Sequence, residues 1–531
     1  MKVNFGILMR QIALRHGERE ALVNVERGRR YTFTEFHRLT NRIANAMRGE
    51  LGITKGDRFL LILENDNLAL MQFPTFLKQE GTAVMTNLRD SVDEQRWQVE
   101  LTRPKVAFIE TALIESHASM LSAAGCKVVA MDPPSAAQRE AFPNIISFAE
   151  MVEAASEDES DVVLEQERDI VLMRFTGGTT GRGKCATYTL DNWFAGRDSS
   201  YINGDLGFDA ETRFLHAAPL SHGTQLFMYP TVFSGGASVT MNNLDLEEFR
   251  SVLEAERITH SFLVPTVLYR LLDRQREDPR SLGSLKTLIY GAAPMSPTKL
   301  EQLIGCFGLI FAQAYAATEA VSVVSLLDKK SHIASTEMGT TRLSSAGLVT
   351  PGIEVIITDD SGLEVPMGEV GEIRIRSRGI IPGYYSDPEA TAKEFADGAW
   401  RSGDLGYIDQ GGFLFIVDRL KDMIISGGFN VYAVEVEAAL AAHPAVLHSA
   451  VIGLPHLDWG EAVHAEVQLR EGSTATDSEL IAHVKERLGS YKAPKTVTFV
   501  DALPLTVVGK VLRRKVRDKY RPAASGGKIK E

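Results

Sequence analysis

Short, unbroken apolar runs constrain this chain most. Arg58-Phe59-Leu60-Leu61-Ile62-Leu63, Ala83-Val84-Met85, Val106-Ala107-Phe108-Ile109 and Val128-Val129-Ala130 recur with helical patterns between them. A strand with one wet face alternates apolar and polar residues, whereas one buried on both faces does not. In an alternating β–α order such runs imply parallel sheets covered by helices. One helix is announced by Thr32-Phe33-Thr34-Glu35, a capping box with Thr32 as N-cap; Phe36, Leu39, Ile43 and Met47 follow at helical spacing. A further helix is expected to hold Met71, Phe73, Phe76 and Leu77. Residues 1–30 read as a helix and a strand, and residues 345–415 as β-rich, with Pro382-Gly383-Tyr384-Tyr385 as a turn. Beyond Val434 the pattern is that of a small α/β unit.

A chain of 531 residues is too long for one simple core, so about two to four subdomains are expected. No run approaches the apolar length of a membrane span, and Met1-Lys2-Val3-Asn4-Phe5-Gly6 does not open a signal peptide. Cys126, Cys185 and Cys306 are too far apart in sequence for a disulfide framework or a metal cluster, which points to a reducing cytoplasm. A net charge of −12 argues against general nucleic-acid binding. Glu157-Asp158-Glu159-Ser160-Asp161 reads as a solvated acidic connector.

That connector leads through Val171-Leu172-Met173, an expected strand, into Phe175-Thr176-Gly177-Gly178-Thr179-Thr180-Gly181-Arg182-Gly183-Lys184. Glycines let successive amides point inward and admit a phosphate where a Cβ would block it. Thr176, Thr179 and Thr180 add hydroxyls, and Lys184 adds a cation. Gly178 to Lys184 also fits G-x-x-x-x-G-K, but a nucleotide-hydrolase loop needs Ser or Thr next and a helix starting at the lysine. Here Cys185 follows, and Ala186-Thr187-Tyr188-Thr189-Leu190 alternates like a strand, with a helix expected after Asp191 as N-cap.

The stretch resembles the phosphate loop of the adenylate-forming superfamily: acyl-CoA synthetases, peptide-synthetase adenylation domains and luciferases. Gly177, Gly183 and Cys185 depart from the usual Ser, Pro and Gly; the first loses a hydroxyl and the second is expected to loosen the loop. Further landmarks follow in the family's order. In Pro219-Leu220-Ser221-His222, His222 matches the histidine that borders the acyl pocket, with Gly223 and Thr224 along the wall. Amino-acid-activating relatives place an Asp in this segment to pair with the substrate ammonium. No Asp or Glu lies between Leu215 and Thr240, which argues against an amino-acid substrate. Gly291-Ala292-Ala293-Pro294 matches the small-residue loop against adenine, and Tyr290 is counted with the acyl pocket. Gln313-Ala314-Tyr315-Ala316-Ala317-Thr318-Glu319 resembles Tyr-Gly-x-Thr-Glu. The resemblance implies that Tyr315 stacks on adenine, Thr318 holds phosphate and Glu319, with Thr180, binds Mg²⁺; Ala314 and Ala316 stand where glycines are common. Asp404, in Trp400-Arg401-Ser402-Gly403-Asp404, would accept from both ribose hydroxyls. Arg419 would contact the ribose side and Lys421 would mark the hinge pivot. Ser426-Gly427-Gly428 would border the coenzyme A channel, and Lys510 in Pro504-Leu505-Thr506-Val507-Val508-Gly509-Lys510 is the expected catalytic lysine. Arg513-Arg514-Lys515-Val516-Arg517 reads as a solvated helix face, with coenzyme A phosphates as a second use.

The resemblance implies an α/β fold. A large N-terminal adenylation domain (1–417) combines parallel-rich sheets with a β-rich subdomain; a hinge (418–422) leads to a small mobile α/β domain (423–531). It also implies ATP, Mg²⁺ and coenzyme A as cofactors and a free carboxylic acid as substrate for a stand-alone ligase; a homodimer is one option for its assembly, which the sequence leaves open. A carboxylate would attack the α-phosphate of ATP, and a thiol would then take the acyl group. The loop, Glu319 and Lys510 would gather positive charge where two anions must meet. Carrier-protein loading, a luciferase-like oxygenase and a non-catalytic nucleotide binder are the alternatives. The pocket candidates (His222, Gly223, Thr224, Tyr290, Gly291, Ala292, Ala314) are small and mainly apolar, which favours a fatty, aryl or alicyclic acid.

Overall fold

A computed structural model describes residues 1–176, 183–333, 342–457, 459–505 and 511–520. Two large mixed sheets dominate it. The first has eight strands, and its centre is parallel: Ile170–Phe175, Thr82–Met85, Arg58–Ile62, Val106–Ile109, Lys127–Ala130 and Ile146–Ser147. Both of its faces are covered, as the continuous apolar runs require. Phe59, Leu61, Phe108 and Leu172 belong to one core cluster with Phe36, Trp193 and Tyr229. Leu60, Ile62, Val84 and Ala107 join Val99, Ile114 and Leu121 in another. Trp193 stacks on Tyr229 with centroids 5.8 Å apart.

The second sheet has thirteen strands. Its parallel half runs Glu20–Asn24, Ala237–Thr240, Arg213–His216, His260–Leu263, Thr287–Gly291 and Phe311–Tyr315. Antiparallel strands continue it through Ser325–Leu327, Gly347–Val349, Phe413–Arg419, Trp400–Ile408, Gly371–Arg376 and Glu354–Thr358. These are the β-rich residues of the sequence. A five-stranded sheet with helices Ala433–Ala441 and Asp477–Leu488 forms around its own apolar core, including Val436, Val451, Val463 and Leu480. No helix among the described residues is long and apolar enough to cross a membrane.

Local signals held where they were complete. The capping box forms, with Thr32 Oγ1 accepting from Glu35 N–H at 3.2 Å and Glu35 accepting from Thr32 N–H at 2.8 Å. Three expectations change. The helix over residues 71–77 is instead two short ones, Asn65–Leu70 and Phe73–Phe76; residue 74 is proline, with no N–H for an uninterrupted ladder. The helix Leu190–Ile202 is capped by Thr189, not Asp191, because Thr189 and Asn192 make a reciprocal box. Residues 382–385 are not simply a turn, since Gly383–Tyr384 pairs as an edge strand with Cys185–Thr189. The acidic connector is solvated as expected, with Glu157, Asp158 and Asp161 exposed, and it is also tied to the helix Phe33–Gly49. Arg42 and Arg48 bind Glu157 and Asp161 at 2.8 and 2.9 Å, Asn45 donates to the carbonyls of Ser156 and Asp158, and Ser160 is buried.

Candidate active site

Strand Ile170–Phe175 delivers Thr176 to the C-terminal edge of the eight-stranded sheet, and the chain returns as Cys185–Thr189. Two bonds close the neck of the intervening loop. Thr176 N–H donates to the Lys184 carbonyl at 2.8 Å, and Lys184 N–H to Thr176 Oγ1 at 3.1 Å. A Cβ on residue 183 would lie 2.2 Å from the Thr176 carbonyl oxygen. Gly183 therefore allows a close backbone approach at the neck, while the looser loop expected of it falls on residues outside those described. Gly177, Gly178, Thr179, Thr180 and Gly181 lie outside the described residues.

Lys184 anchors a chain of polar contacts. Its ammonium pairs with Glu394 and sits 4.7 Å from the centre of the Tyr384 ring. The Tyr384 hydroxyl lies 2.6 Å from Glu394 Oε2 and 2.9 Å from Glu319 Oε1. A phenol carries one proton, so it donates to one carboxylate at a time. Burial, opposed by the bond from Tyr384, pushes the Glu319 carboxyl above its ordinary range; burial and the nearby carboxylates hold the Tyr384 phenol protonated. Thr318 is fixed from behind by the Tyr188 hydroxyl, which donates to its carbonyl at 3.0 Å. Tyr384 and Glu394 were not recognised in the sequence. Glu394 lies on the helix Pro388–Glu394, far along the chain from Lys184, and no local pattern marks it.

Four residues before Glu319, Tyr315 begins a second chain of contacts. Its hydroxyl donates to Asp404 Oδ2 at 2.7 Å, and Arg419 Nε lies 3.2 Å from Asp404 Oδ1. Asp404 and Arg419 are cross-strand partners, which holds the carboxylate and the guanidinium side by side. The small residues of the adjacent loop are dictated by backbone. Gly291 is opposite Ala314 in parallel register, and a Cβ there would lie 2.3 Å from the Ala314 carbonyl oxygen. Ala292 adopts φ +65° at the strand end and is exposed, as is Pro294; Ala293 is half-buried. Ala316 follows Tyr315 and is half-buried.

At the expected acyl wall, His222 is half-buried with Ser221 Oγ 3.0 Å from its Nδ1, and Gly223 faces the Phe262 ring. Two other candidates are committed elsewhere. Thr224 is fully buried against His216 Nδ1 at 2.9 Å. Tyr290 is fully buried in the apolar core around Leu288 and Leu300, its hydroxyl 3.0 Å from His332 Nε2, so it does not line the pocket.

Strand Phe413–Arg419 runs into the expected hinge, where Asp418 is buried and accepts from Val434 N–H at 3.2 Å. Burial, only partly countered by Arg513, pushes its carboxyl up to about 6. Arg513 corrects the reading of the basic stretch. Its guanidinium binds Glu437 at 2.8 and 2.5 Å and lies 3.4 Å from Asp422, so it is an internal counter-ion and not a solvated cation. Lys421 is exposed, and partial desolvation of its ammonium, followed by the Arg419 charge, lowers its pKa.

Ser426 and Phe429 pair across a two-residue turn in which Gly427 and Gly428 take φ +60° and +81°. That left-handed pair is what a tight hairpin demands. Gly427 N–H donates to the Trp459 carbonyl at 2.8 Å, and a Cβ there would meet the Trp459 ring at 2.9 Å. Around the turn Phe429, Trp459 and Tyr491 are exposed, with Lys495 4.7 Å from the Trp459 ring centre and Phe429 5.3 Å from Tyr491. Flat π-faces beside ammonium groups suit a nucleobase with phosphates. This group was not legible in the sequence, because its members come from three separate segments. Lys510 lies outside the described residues.

The AMP-binding enzyme family model matches residues 9–385, and that of the AMP-binding enzyme C-terminal domain matches residues 435–510. A feruloyl-CoA synthase of Amycolatopsis sp is 34% identical over 510 residues, 96% of each chain. A medium/long-chain-fatty-acid–CoA ligase of Mycobacterium tuberculosis is 40% identical over 358 residues, which span 66% of this chain but 61% of that relative. Among solved structures, ATP-bound MatB from Rhodopseudomonas palustris superposes with a TM-score of 0.87 at 27% identity, covering 98% of this chain and 99% of that one. The o-succinylbenzoate CoA synthetase of Bacillus subtilis, in complex with its acyl-adenylate intermediate, gives a TM-score of 0.81 at 27% identity over 99% of this chain and 100% of that one.

Proposed function

The chain belongs to the AMP-binding enzyme family, and from that premise we propose how it acts. It is an AMP-forming acid–CoA ligase: it joins a carboxylic acid to AMP at the expense of ATP and passes the acyl group to coenzyme A. The observation that carries the site assignment is that Tyr315 and Glu319, on one short segment, each start a contact chain. Tyr315 leads to Asp404 and Arg419; Glu319 leads through Tyr384 and Glu394 to Lys184. One chain offers groups for a ribose, the other for phosphates, as the two ends of one nucleotide require.

In the first half-reaction a substrate carboxylate oxygen bonds to the α-phosphorus while the bond to pyrophosphate breaks. Lys184 and the loop amides would hold the phosphates, Thr318 would take an α-phosphate oxygen, and Lys510 would bridge the two anions. No general base is needed, because the acid arrives ionised. The oxygen donors of Glu319 and Thr180 fit a hard cation. Bound there, Mg²⁺ would neutralise charge on the departing pyrophosphate. In the second half-reaction the coenzyme A thiol attacks the acyl carbon and AMP leaves. Residues 423–531 would turn about residues 418–422, removing Lys510 and bringing the Gly427–Gly428 turn and its aromatic neighbours to the thiol channel. His222 and Gly223 would border the acyl chain, whose most fitting class is a fatty or aryl acid. The reading includes a cytoplasmic enzyme and a homodimer, the latter to be checked by sedimentation.

Acid-dependent ATP–pyrophosphate exchange over a panel of fatty, aryl and alicyclic acids tests the first half, and loss of free thiol on adding coenzyme A or a phosphopantetheinyl carrier tests the second. Lys510→Ala should slow exchange while a supplied acyl-adenylate still reacts with coenzyme A. Equal loss of both halves would refute the two-position account.

A further inference from the structure

Glu394, with the Tyr384 phenol that holds it, belongs to the Lys184 chain but has no part in the reaction above. Its carboxylate is three-quarters buried, with 25% of the side chain exposed, and is held at both oxygens: one pairs with Lys184, the other lies 2.6 Å from the Tyr384 hydroxyl. Lys184 stands at the neck of the phosphate loop, where its backbone is bonded to Thr176. An anion with the size and donor demands of a phosphate oxygen therefore already occupies the loop lysine.

We propose that Glu394 is a positioning residue that stands in for a nucleotide phosphate. It keeps the Lys184 ammonium ordered beside the Tyr384 ring, and the incoming ATP must displace it. This rests on the ATP site assigned above. Three features support displacement over shared use. A phosphate brought to Lys184 meets two carboxylates on the same side, Glu394 and Glu319, the latter bonded to the same phenol. Like charges at that range repel. Tyr384 can keep its bond to Glu394 after Lys184 leaves, so the carboxylate retains a donor. Finally, Glu394 ends its helix, beside Phe395, whose ring packs edge-on to Tyr384 at 5.5 Å. That contact ties the helix end to the strand that carries the phenol independently of the Glu394–Lys184 pair. The placeholder trades affinity for readiness: the cation is aimed before substrate arrives.

The sign of the effect separates this role from a simple supporting one. Direct calorimetric titration with a non-hydrolysable ATP analogue is performed on the full chain as wild type, Glu394→Gln, Glu394→Ala, Lys184→Met and Glu394→Gln/Lys184→Met. Removing the carboxylate is expected to tighten nucleotide binding about 3- to 10-fold, the worth of a partly exposed ion pair. In the Lys184→Met background the same change should be less than about twofold, because there is no ammonium to release. Unchanged or weaker binding by both Glu394 variants overturns the proposal, as does equal tightening with and without Lys184. If the wild-type chain binds no ATP analogue, the ligase reading fails instead. Melting curves of each variant confirm that affinities are compared between folded proteins.

Discussion

Replacing Arg513 by Met removes the cation shared by Asp418, Asp422 and Glu437. The guanidinium touches Glu437 through two nitrogens at 2.8 and 2.5 Å, Asp422 at 3.4 Å and Asp418 at 3.8 Å. The Arg513 side chain is 15% exposed and that of Asp418 is 0% exposed. Deleting one partner of a buried ion pair costs about 3–5 kcal/mol, because the other charge stays behind without solvent. Glu437 and Asp422 retain 18% and 14% exposure, so some water reaches them and the low end, about 3 kcal/mol, is expected. The pH dependence has a definite sign. Asp418 is raised from 3.8 to about 6 in the fold, so the folded chain binds the extra proton, and its contribution to stability is lost as pH rises through that window. Without Arg513 the carboxyl climbs further and the window extends into the neutral range. The variant should therefore lose more stability at pH 8 than at pH 5. Urea unfolding, read by hydrogen exchange in the strands Val446–His456 and Gly460–Leu469, measures it locally. Adding Asp418→Asn should recover at least about 1 kcal/mol, since an amide is cheaper to bury than a lone charge. A loss under about 0.5 kcal/mol, or one independent of pH, would refute the counter-ion argument.

Two further outcomes follow from the site. Asp404→Asn keeps the shape but weakens the charge-assisted contact with Arg419 and the ribose; KM for ATP in pyrophosphate exchange should rise about tenfold or more, whereas Tyr315→Phe, losing one bond to Asp404, should stay within about fivefold. Gly427→Ala places a Cβ at φ +60° and 2.9 Å from the Trp459 ring, a backbone strain of about 1–2 kcal/mol at the hairpin. Thioester formation from a supplied acyl-adenylate should fall more than exchange does.

The parallel sheets, the capping box and the order of landmarks were legible because each is written in consecutive residues. Thr32 and Glu35 find each other within one turn, and the strand at Arg58–Ile62 needs only its own apolar run. What stayed hidden depends on distant chain segments. Glu394 reaches Lys184 from 210 residues away, and nothing in Ala390-Thr391-Ala392-Lys393-Glu394 distinguishes it from a surface helix. Arg513 looked solvated because its three carboxylate neighbours come from Asp418, Asp422 and Glu437. The ties of the solvated acidic connector were not visible because Arg42, Asn45 and Arg48, one face of a helix, lie more than a hundred residues earlier. Tyr290 was misplaced for a different reason: alternation in a strand buried on both faces does not say which side meets the pocket.

The pairing of Gly383–Tyr384 with Cys185–Thr189 has a practical corollary for dissecting the chain. The outer edge of the strand Cys185–Thr189 is paired by Gly383–Tyr384, and Tyr385 N–H donates to the Cys185 carbonyl at 2.7 Å. A fragment ending before residue 383 would keep the loop yet leave a β-branched, threonine-bearing rim unsheathed, ready to zip onto another molecule. Expression trials of such a fragment should yield aggregates, and boundaries set beyond Arg419, which also keep the interior strands of the thirteen-stranded sheet, should not.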